Sequence, residues 1–454
     1  MKVLLRFLMA LGLAGSLAPV TAQPAAPGQK KTPAVPSWWA VFNDTLLDSL
    51  EQAGLQHNLD LQVMMARVEE ARARVDVAKS YLYPSVRLSP YVARQSLSPN
   101  RPVTVTMQEG QVLDRFSLQT YQVPLDVSYE VDLWQRIRHQ VKTSRQVKEA
   151  TEAELQAAAL SVSSEIARQY FLLRSIDTEL SVLLRGIGLR DSTLQIAAAR
   201  YQAGLVNLMD VQRAETEVAS ARVQLEGLRR SRREIELSLA VLLGAQPGDI
   251  RIPAGQLPAV LPAVPVVSAP DMVLRRPDLV QSERLMAAAA TQVKSNKAAL
   301  LPRVNLLGSA GLLSRNISPI LSTSSGTYLV GASVSLPVFE GFRNKSNIVI
   351  AQTQVDAASS AYQQRLLTAV QEVETAAANL EMLSRQVLVQ QQALQSARKT
   401  RLYARELYVK GLTSFLEAID AERTALELER QAVNLKGQQA IYTIALIKAL
   451  GGSW

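Results

Sequence analysis

The same ordered set of motifs occurs twice in this chain, and this duplication constrains the fold more than any other feature. Residues 201–205 (YQAGL) correspond to residues 408–412 (YVKGL), and at the same offset Asp210 corresponds to Glu417. Two earlier pairs match in the same order, namely 58–61 with 276–279 and 84–88 with 302–306. The chain is therefore predicted to contain two copies of one structural unit.

The duplication divides the sequence into segments. The predicted segments are a signal peptide (1–22), an extended N-terminal linker (23–43), a first structural repeat (44–243), a connector between the repeats (244–270) and a second structural repeat (271–454). The connector is dense in proline and glycine, which favours an extended conformation.

The N-terminus has the composition of a secretory signal peptide. Lys2 and Arg6 form a small positive region, the apolar stretch 4–17 is too short to cross a bilayer, and small residues at 20–22 suit cleavage before Gln23. The mature protein is therefore predicted to leave the cytoplasm. Ser16 stands where a lipidated cysteine would follow the Leu13-Ala14-Gly15 sequence, so no anchor through an N-terminal lipid-modified cysteine is expected.

Composition excludes several classes of function. The chain has no cysteine and only two histidines, His57 and His139, so we expect no metal site and no cofactor. The formal net charge is +9, but basic and acidic residues are interleaved, as in 229–236, which indicates solvated helix faces rather than a nucleic-acid surface. No motif of a nucleotide-binding, hydrolase or zinc enzyme is present, and we expect no enzymatic activity.

Each repeat is predicted to run helix, strand, loop, strand, very long helix, tight turn, long helix. In the first repeat a helix is predicted from about Leu59 to Leu82, with strands at Val86–Leu97 and Phe116–Val131. Apolar and polar residues alternate along the second of these strands, which is the period of a sheet with one apolar face. The second repeat has the same alternation at 330–337.

The strands suit either a half-buried sheet of a soluble protein or a transmembrane barrel. Secretion, strand length and the pair of hairpins favour the barrel, since outside helices only closed barrels satisfy the backbone in lipid. One chain supplies only four strands, whereas the smallest bacterial barrels of this kind use about eight. Several chains would therefore have to contribute to one barrel.

The long helices are predicted from two proline-free stretches, 133–201 and 342–408. At about 1.5 Å per residue each could extend roughly 100 Å, a length typical of coiled coils. Alanine-rich heptad seams follow in 211–242 and 418–449. An intramolecular coiled coil and a curved wall of helices around a wet lumen both explain these seams. Gly186 and Gly188 predict a weak point or a local break.

Taken together, the motifs resemble the TolC-like outer membrane factor family, in the branch that works with RND-type pumps. The resemblance covers roughly residues 38–454. It depends on four motifs: Trp39-x-x-Phe42-x-Asp44-x-x-Leu47, Asp132-Leu133-Trp134-x-Arg136, the duplicated Tyr-x-x-Gly-Leu, and Ala449-Leu450-Gly451-Gly452.

The resemblance implies an α+β membrane protein that assembles as a homotrimer. Three protomers with four strands each would form a 12-stranded outer-membrane β-barrel in lipid, continued by a long periplasmic α-helical barrel with a mixed equatorial region. The implied partners are a periplasmic adaptor (membrane fusion) protein and an inner-membrane RND pump. The implied function is passive conduction of drugs or other small toxic compounds through the outer membrane of a Gram-negative bacterium.

The resemblance also assigns roles to residues at the two turns. Gly204 and Gly411 would mark the periplasmic tips, because glycine fits a tight left-handed turn between antiparallel helices. Leu205 and Leu412 would be exposed apolar contacts for the adaptor. A simple capping turn explains the glycines but not the leucine that follows each of them.

A closed entrance is implied next to the tips. Glu417 and Asp420 would ring the entrance with six carboxylates in the trimer, and Tyr408 would bond Asp210 to hold neighbouring helix pairs shut. Thr413 stands where relatives often carry a basic residue, which leaves Arg213 and Arg423 as candidates for a second lock. The alternative for the three carboxylates is a solvated helix face.

Two other functions compete with the efflux channel. A protein-secretion outlet of type I would use the same tube, and the Trp39 segment favours the RND branch over it. A secreted structural coiled coil would lack barrel strands and would dissolve without detergent.

Overall fold

A computed structural model of the protein describes residues 37–98, 116–258, 260–262 and 273–452. The predicted signal peptide (1–22) lies outside the described residues. The same holds for most of the predicted linker (23–36), for the strand-connecting residues 99–114 and for the end of the connector (263–270).

The described elements follow the predicted order. They are α1 (Thr45–His57), α2 (Leu59–Ser80), β1 (Ser85–Leu88), β2 (Tyr91–Leu97), β3 (Phe116–Val131), α3 (Arg136–Gln202), α4 (Leu208–Leu242), α5 (Pro277–Ala298), β4 (Arg303–Ser314), β5 (Gly326–Ser335), α6 (Arg343–Val409) and α7 (Phe415–Ala449). In this part of the chain, no helix combines the length and the apolar character that crossing a membrane requires.

The chain divides into two compact units. The sheet unit comprises Glu70–Lys148 and Leu285–Ala358, and the helical unit comprises Thr32–Glu69, Glu149–Arg284 and Ser359–Trp454. Each unit is built from both halves of the sequence.

The sheet unit contains one antiparallel sheet. β3 is central: it pairs with β1 and β2 along one side and with β4 along the other, and β4 pairs with β5. The single strand predicted at Val86–Leu97 is therefore two strands, interrupted at Ser89 and Pro90. Proline has no N–H to donate to a sheet ladder, which accounts for the interruption.

The motif Asp132-Leu133-Trp134-x-Arg136 fixes the junction between β3 and α3. Asp132 caps the helix, because its carboxylate oxygens accept from the N–H groups of Ile137 (3.0 Å) and Arg138 (2.9 Å). Arg136 pairs with Glu130 of β3 at 2.8 Å. Trp134 also takes part, donating its indole N–H to the carbonyl of Pro302 (2.8 Å), just before β4. The polar side chains of the motif therefore attach the start of α3 to the adjacent ends of β3 and β4.

The core of the helical unit encloses the N-terminal motif. Trp38–Phe42 forms a short 3-10 helix inside the segment predicted as extended linker, and Trp38 and Trp39 are buried. The Trp38 indole donates to the Ser163 hydroxyl (2.9 Å). Asp44 caps α1 and accepts a hydrogen bond from Tyr170. Burial, together with this contact, raises the pKa of Tyr170 to about 12. The large apolar area of this segment explains why it packs instead of remaining extended.

The two halves use matching contacts with different side chains. Asn58, just before α2, donates from its side-chain amide to the carbonyl of Leu242 at the end of α4 (2.9 Å). Arg276, just before α5, donates to the carbonyl of Ala449 at the end of α7 (3.0 Å). Both contacts satisfy a carbonyl that a helix end leaves without an intrahelical partner. The matched motifs at 58–61 and 276–279 therefore have the same structural role.

The long helices and their seams agree with the prediction in most respects. α3 and α6 begin and end within a few residues of the proline-free stretches. Along α4 the first five seam positions, from Val211 to Leu225, are buried. Of the two interpretations of Gly186 and Gly188, the local break is wrong, since α3 continues through both, whereas the tolerated weak point stays a prediction. At Gly186 a Cβ would lie only 3.0 Å from the Leu426 side chain, so this glycine permits a close helix approach.

Glu51 of α1 is an acid buried in this core, where no basic side chain among the described residues pairs with its carboxylate. Burial raises its pKa well above the usual value, so the folded state binds the Glu51 proton more tightly than the unfolded state does. Stability therefore increases as the pH falls through the pKa of folded Glu51.

We expect Glu51→Gln to stabilise the protein by about 1–3 kcal/mol at pH 8, because an amide of equal size avoids the pH-dependent cost of burying a carboxylic acid. The gain should shrink as the pH approaches about 4.3, the ordinary pKa of a glutamate. Thermal unfolding across this pH range measures it, with Glu234→Gln, a change in an exposed pair with Arg230, as the control. A variant that is less stable than the wild type at pH 8 would contradict this expectation.

Candidate functional site

The first tight turn joins α3 to α4. Gly204 has φ +69°, the left-handed conformation that favours glycine. Its N–H donates to the carbonyl of Tyr201 (2.9 Å), and the N–H of Leu205 donates to the carbonyl of Arg200 (2.9 Å). This pair of bonds is a Schellman motif, which ends a helix while satisfying its last carbonyls.

The second turn joins α6 to α7 in the same way. Gly411 has φ +75° and its N–H donates to the carbonyl of Tyr408 (3.0 Å). The N–H of Leu412 donates to the carbonyl of Leu407 (2.9 Å). The duplicated glycines thus occupy equivalent positions in two equivalent turns.

The leucine after each glycine is exposed. Leu205 is 67 % exposed and Leu412 is 71 % exposed. Three further apolar residues near the turns, which sequence reasoning missed, are also exposed: Leu208, Met209 and Leu416. The sequence could have indicated their exposure, because they lie in the first turns of α4 and α7 at positions outside the heptad seam. Together we call these five residues the apolar tip.

The predicted acids begin the helices that follow the turns. Asp210 is the third residue of α4, and its N–H donates to the side chain of the cap residue Asn207 (3.1 Å). Glu417 is the third residue of α7, and its N–H donates to the cap residue Ser414 (3.3 Å). Acids in a first turn are favoured by the positive end of the helix dipole. Capping therefore explains these acids in part, whatever further role they have.

Thr413 and Asp420 complete the predicted entrance set. Thr413, which stands where a basic residue was expected, donates its hydroxyl to the Glu417 carboxylate. Asp420 is exposed, one helical turn beyond Glu417. The structure thus places Thr413, Glu417 and Asp420 together at the start of α7.

Tyr408 does not bond Asp210 in this chain, contrary to what the resemblance implies. Its ring is buried, packs against Phe415 at 5.8 Å and lies beneath the guanidinium of Arg200 at 4.9 Å, while its hydroxyl has no hydrogen-bond partner among the described residues. Burial raises the pKa of that hydroxyl. Asp210 pairs with Arg213 instead, at 3.9 Å. Arg200 also donates to the Tyr408 carbonyl, and this bond joins the two turns within the chain.

A buried charge network lies behind the turns and was not predicted. Arg190 lies between Glu217 (3.6 Å) and Glu422 (3.7 Å), and Arg423 also bonds Glu217. The bond from Arg423 lowers the pKa of Glu217, whereas burial raises the pKa of Glu422. Arg423, a candidate for a second lock, therefore forms an ion pair with Glu217 that joins α7 to α4.

The sequence contained one signal for this network. Phe415, Glu422 and Glu429 are spaced by seven residues and all are buried on one face of α7. Acids at a position that repeats with a core phenylalanine indicate buried ion pairs rather than a solvated face.

Comparison with known proteins relates this geometry to channels. The chain matches the family profile described as "Outer membrane efflux protein" over residues 50–245 and 270–452. It is 27 % identical to the "Probable outer membrane lipoprotein SilC" of Salmonella typhimurium, covering 97 % of this chain and 95 % of that one. It is 26 % identical to the "Antibiotic efflux pump outer membrane protein ArpC" of Pseudomonas putida, covering 96 % and 90 %.

Among solved structures, the outer-membrane channel OprN is similar with a TM-score of 0.84 and 28 % identity, over 96 % of both chains. The likeness therefore extends over both halves of the sequence.

Proposed function

Because the chain belongs to the outer membrane efflux protein family, we propose that three copies form one passive conduit through the outer membrane, with its entrance at the two glycine turns. The chain is an outer-membrane channel component of an efflux system, with its helical part in the periplasm. The homotrimer, the conduction of drugs or other small toxic compounds, and the roles of individual residues belong to the proposal.

The main support for the proposed trimer is that the sheet has unpaired edge strands. β5 pairs on one side only within the described residues, as do β1 and β2. Tyr328, Val330 and Val334 alternate along β5 and each is at least 69 % exposed. An apolar face suits lipid, but an unpaired edge does not, because lipid offers no hydrogen bonds. Because β1 and β2 lie end to end on one side of β3, each copy contributes four strand positions. Pairing of these edges between three copies, in a closed barrel of twelve strands, removes both edges.

The apolar tip is the proposed contact for a periplasmic adaptor protein, which would link the channel to an inner-membrane RND pump. Leu205 and Leu412 present similar exposed side chains on equivalent turns. A partner with one repeated apolar surface could therefore contact both turns of each protomer. The link through Arg200 and Tyr408 would hold the two turns together while the entrance is closed.

The entrance proposal predicts a loss of ion selectivity. In planar bilayers, Glu417→Ala combined with Asp420→Ala should lower the preference for K⁺ over Cl⁻ towards a permeability ratio of about one, because a narrow ring of carboxylates concentrates cations. Glu427→Ala, which removes an exposed acid of the same helix, is the control and should leave the ratio unchanged.

Oligomeric state is measured first, in detergent extracts of the same preparation. A monomeric wild type would refute the trimer. A trimeric double variant with wild-type selectivity would instead remove Glu417 and Asp420 from the entrance while leaving the channel itself in place.

A further inference from the structure

An arginine-rich cavity lies near the turns, between α3 and α6 and against α7. It consists of two adjoining spaces of about 250 and 530 Å³, which share Leu189, Arg398, Arg401 and Glu422 in their walls. Arg405 and Tyr408 line only the smaller of the two spaces, and the name arginine cavity is used below for this smaller space alone. Its volume is close to the lower end of the range of small-molecule sites, about 300–1,000 Å³.

Positive charge exceeds negative charge in these walls. Arg398 lies 2.8 Å from Glu429 Oε1, and Arg401 lies 3.8 Å from the same oxygen. Arg405 forms no hydrogen bond or ion pair with any residue that the structure describes. One carboxylate oxygen therefore serves two guanidinium groups. The third guanidinium, that of the exposed Arg405, has no bonded partner among the described residues, and its charge acts on Glu422.

Two buried polar atoms in the wall lack hydrogen-bond partners among the described residues. The Tyr408 hydroxyl belongs to a residue that is 3 % exposed, and Glu422 Oε1 belongs to one that is 7 % exposed. Buried polar atoms without partners are rare in native proteins, and each one requires an explanation such as an ordered water, an ion or a ligand. The unused donor capacity of Tyr408 and the arginines suits a ligand that accepts several hydrogen bonds.

Glu422 does not cancel the positive charge. Its nearest arginine is Arg190, with 3.7 Å between Arg190 Nε and Glu422 Oε1, on the side of the charge network. Burial raises the pKa of Glu422, and the charges of Arg401 and Arg405 act in the opposite direction. The neutral form of Glu422 could itself donate a hydrogen bond to an anion.

We propose that the arginine cavity binds a small oxyanion with at least two negatively charged oxygens, of the phosphate or dicarboxylate class. Arg401 and Arg405 lie four residues apart on one face of α6, so their two planar guanidinium groups can donate hydrogen bonds to different oxygens of the same anion. Tyr408 donates its hydroxyl as a third contact. Because the cavity wall includes both α3 and α6, a bound anion stabilises the packing of these helices behind the turns.

The test uses inorganic phosphate and the purified full-length assembly in detergent. Isothermal titration calorimetry is performed at constant ionic strength, with chloride replacing phosphate in the reference titration. The wild type should bind phosphate, and Arg405→Gln should weaken the affinity by about tenfold or more, the cost of one charged hydrogen bond. Arg385→Gln, which changes an exposed arginine of the same helix paired with Glu381, should bind as the wild type does.

A second variant keeps the test decisive if Arg405→Gln fails to assemble. Tyr408→Phe removes only the hydroxyl and should weaken phosphate binding by roughly threefold to tenfold, the range for one neutral hydrogen bond. A wild type without phosphate binding would overturn the proposal. Equal phosphate affinities in the wild type, Arg405→Gln and Tyr408→Phe would overturn it as well.

Discussion

Asp177→Ala is expected to destabilise the helical unit by about 3–5 kcal/mol, the cost of removing one partner of a buried ion pair. The Asp177 side chain is only 2 % exposed, and its two oxygens bond Arg232 at 2.6 Å and Arg174 at 3.3 Å. The same carboxylate accepts the N–H of Gly255 (3.1 Å). The variant leaves Arg174, whose side chain is 8 % exposed, without its carboxylate partner.

The matched control is Asp191→Ala on the same helix. Asp191 pairs with Arg222 at 3.5 Å, but both side chains are at least 39 % exposed, so the pair is worth less than about 1 kcal/mol. Denaturant unfolding of the detergent-solubilised protein measures both variants. Equal losses of stability in the two variants would show that the Asp177 network is not a stabilising element.

The same network holds the connector that follows α4. Arg232 donates to the carbonyl of Ile252 (2.7 Å), and the N–H of Ile252 donates to Glu236 (3.2 Å). Arg174 donates to the carbonyl of Pro253 (2.8 Å). Limited proteolysis should therefore cleave the connector of Asp177→Ala faster than that of the wild type, which separates local release of the connector from general destabilisation.

Element order and helix bounds could be predicted because backbone constraints are local. Helices end shortly before Pro84 and Pro302, and the two longest helices lie in stretches that contain no proline. The interruption between β1 and β2 could also have been read from Pro90, since a proline inside a strand pattern marks an edge or a break. The heptad period likewise revealed most of the buried seam of α4.

The heptad spacing of Glu422 and Glu429 could indicate buried charges, but the partners of buried charges could not be predicted, because each pair joins residues that are distant in the sequence. Asp177 and Arg232 belong to different helices, and no periodic pattern in either helix indicates the other. The entrance shows the same limit. Tyr201 and Tyr408 occupy equivalent positions, yet Tyr201 is 43 % exposed and Tyr408 is 3 % exposed, since Phe415 packs on Tyr408 whereas its counterpart Leu208 faces solvent.

Gly311 of β4 is the position where one methyl group should disturb the sheet most. Pro124 of β3 pairs with Gly311, and the Pro124 carbonyl accepts from the N–H of Ser89 on the opposite side, where β1 and β2 are interrupted. The missing N–H of the proline and its ring therefore face the interruption, and on the opposite side the backbone of β3 lies close to Gly311. A Cβ on residue 311 would lie 2.2 Å from the carbonyl oxygen of Val123 and 2.9 Å from the Cα of Pro124.

We therefore expect Gly311→Ala to cost about 2–3 kcal/mol through forced backbone displacement and to lower the yield of assembled protein, because the β3–β4 pairing joins the two halves of the chain. Gly308→Ala is the matched control in the same strand, since its Cβ would lie 3.7 Å from the Val127 side chain, an ordinary contact. The thermal midpoint of the strand signal in circular dichroism and the heat resistance of the assembly on gels measure the difference. If both variants melt and assemble alike, the close approach of the β3 backbone to Gly311 does not constrain the sheet.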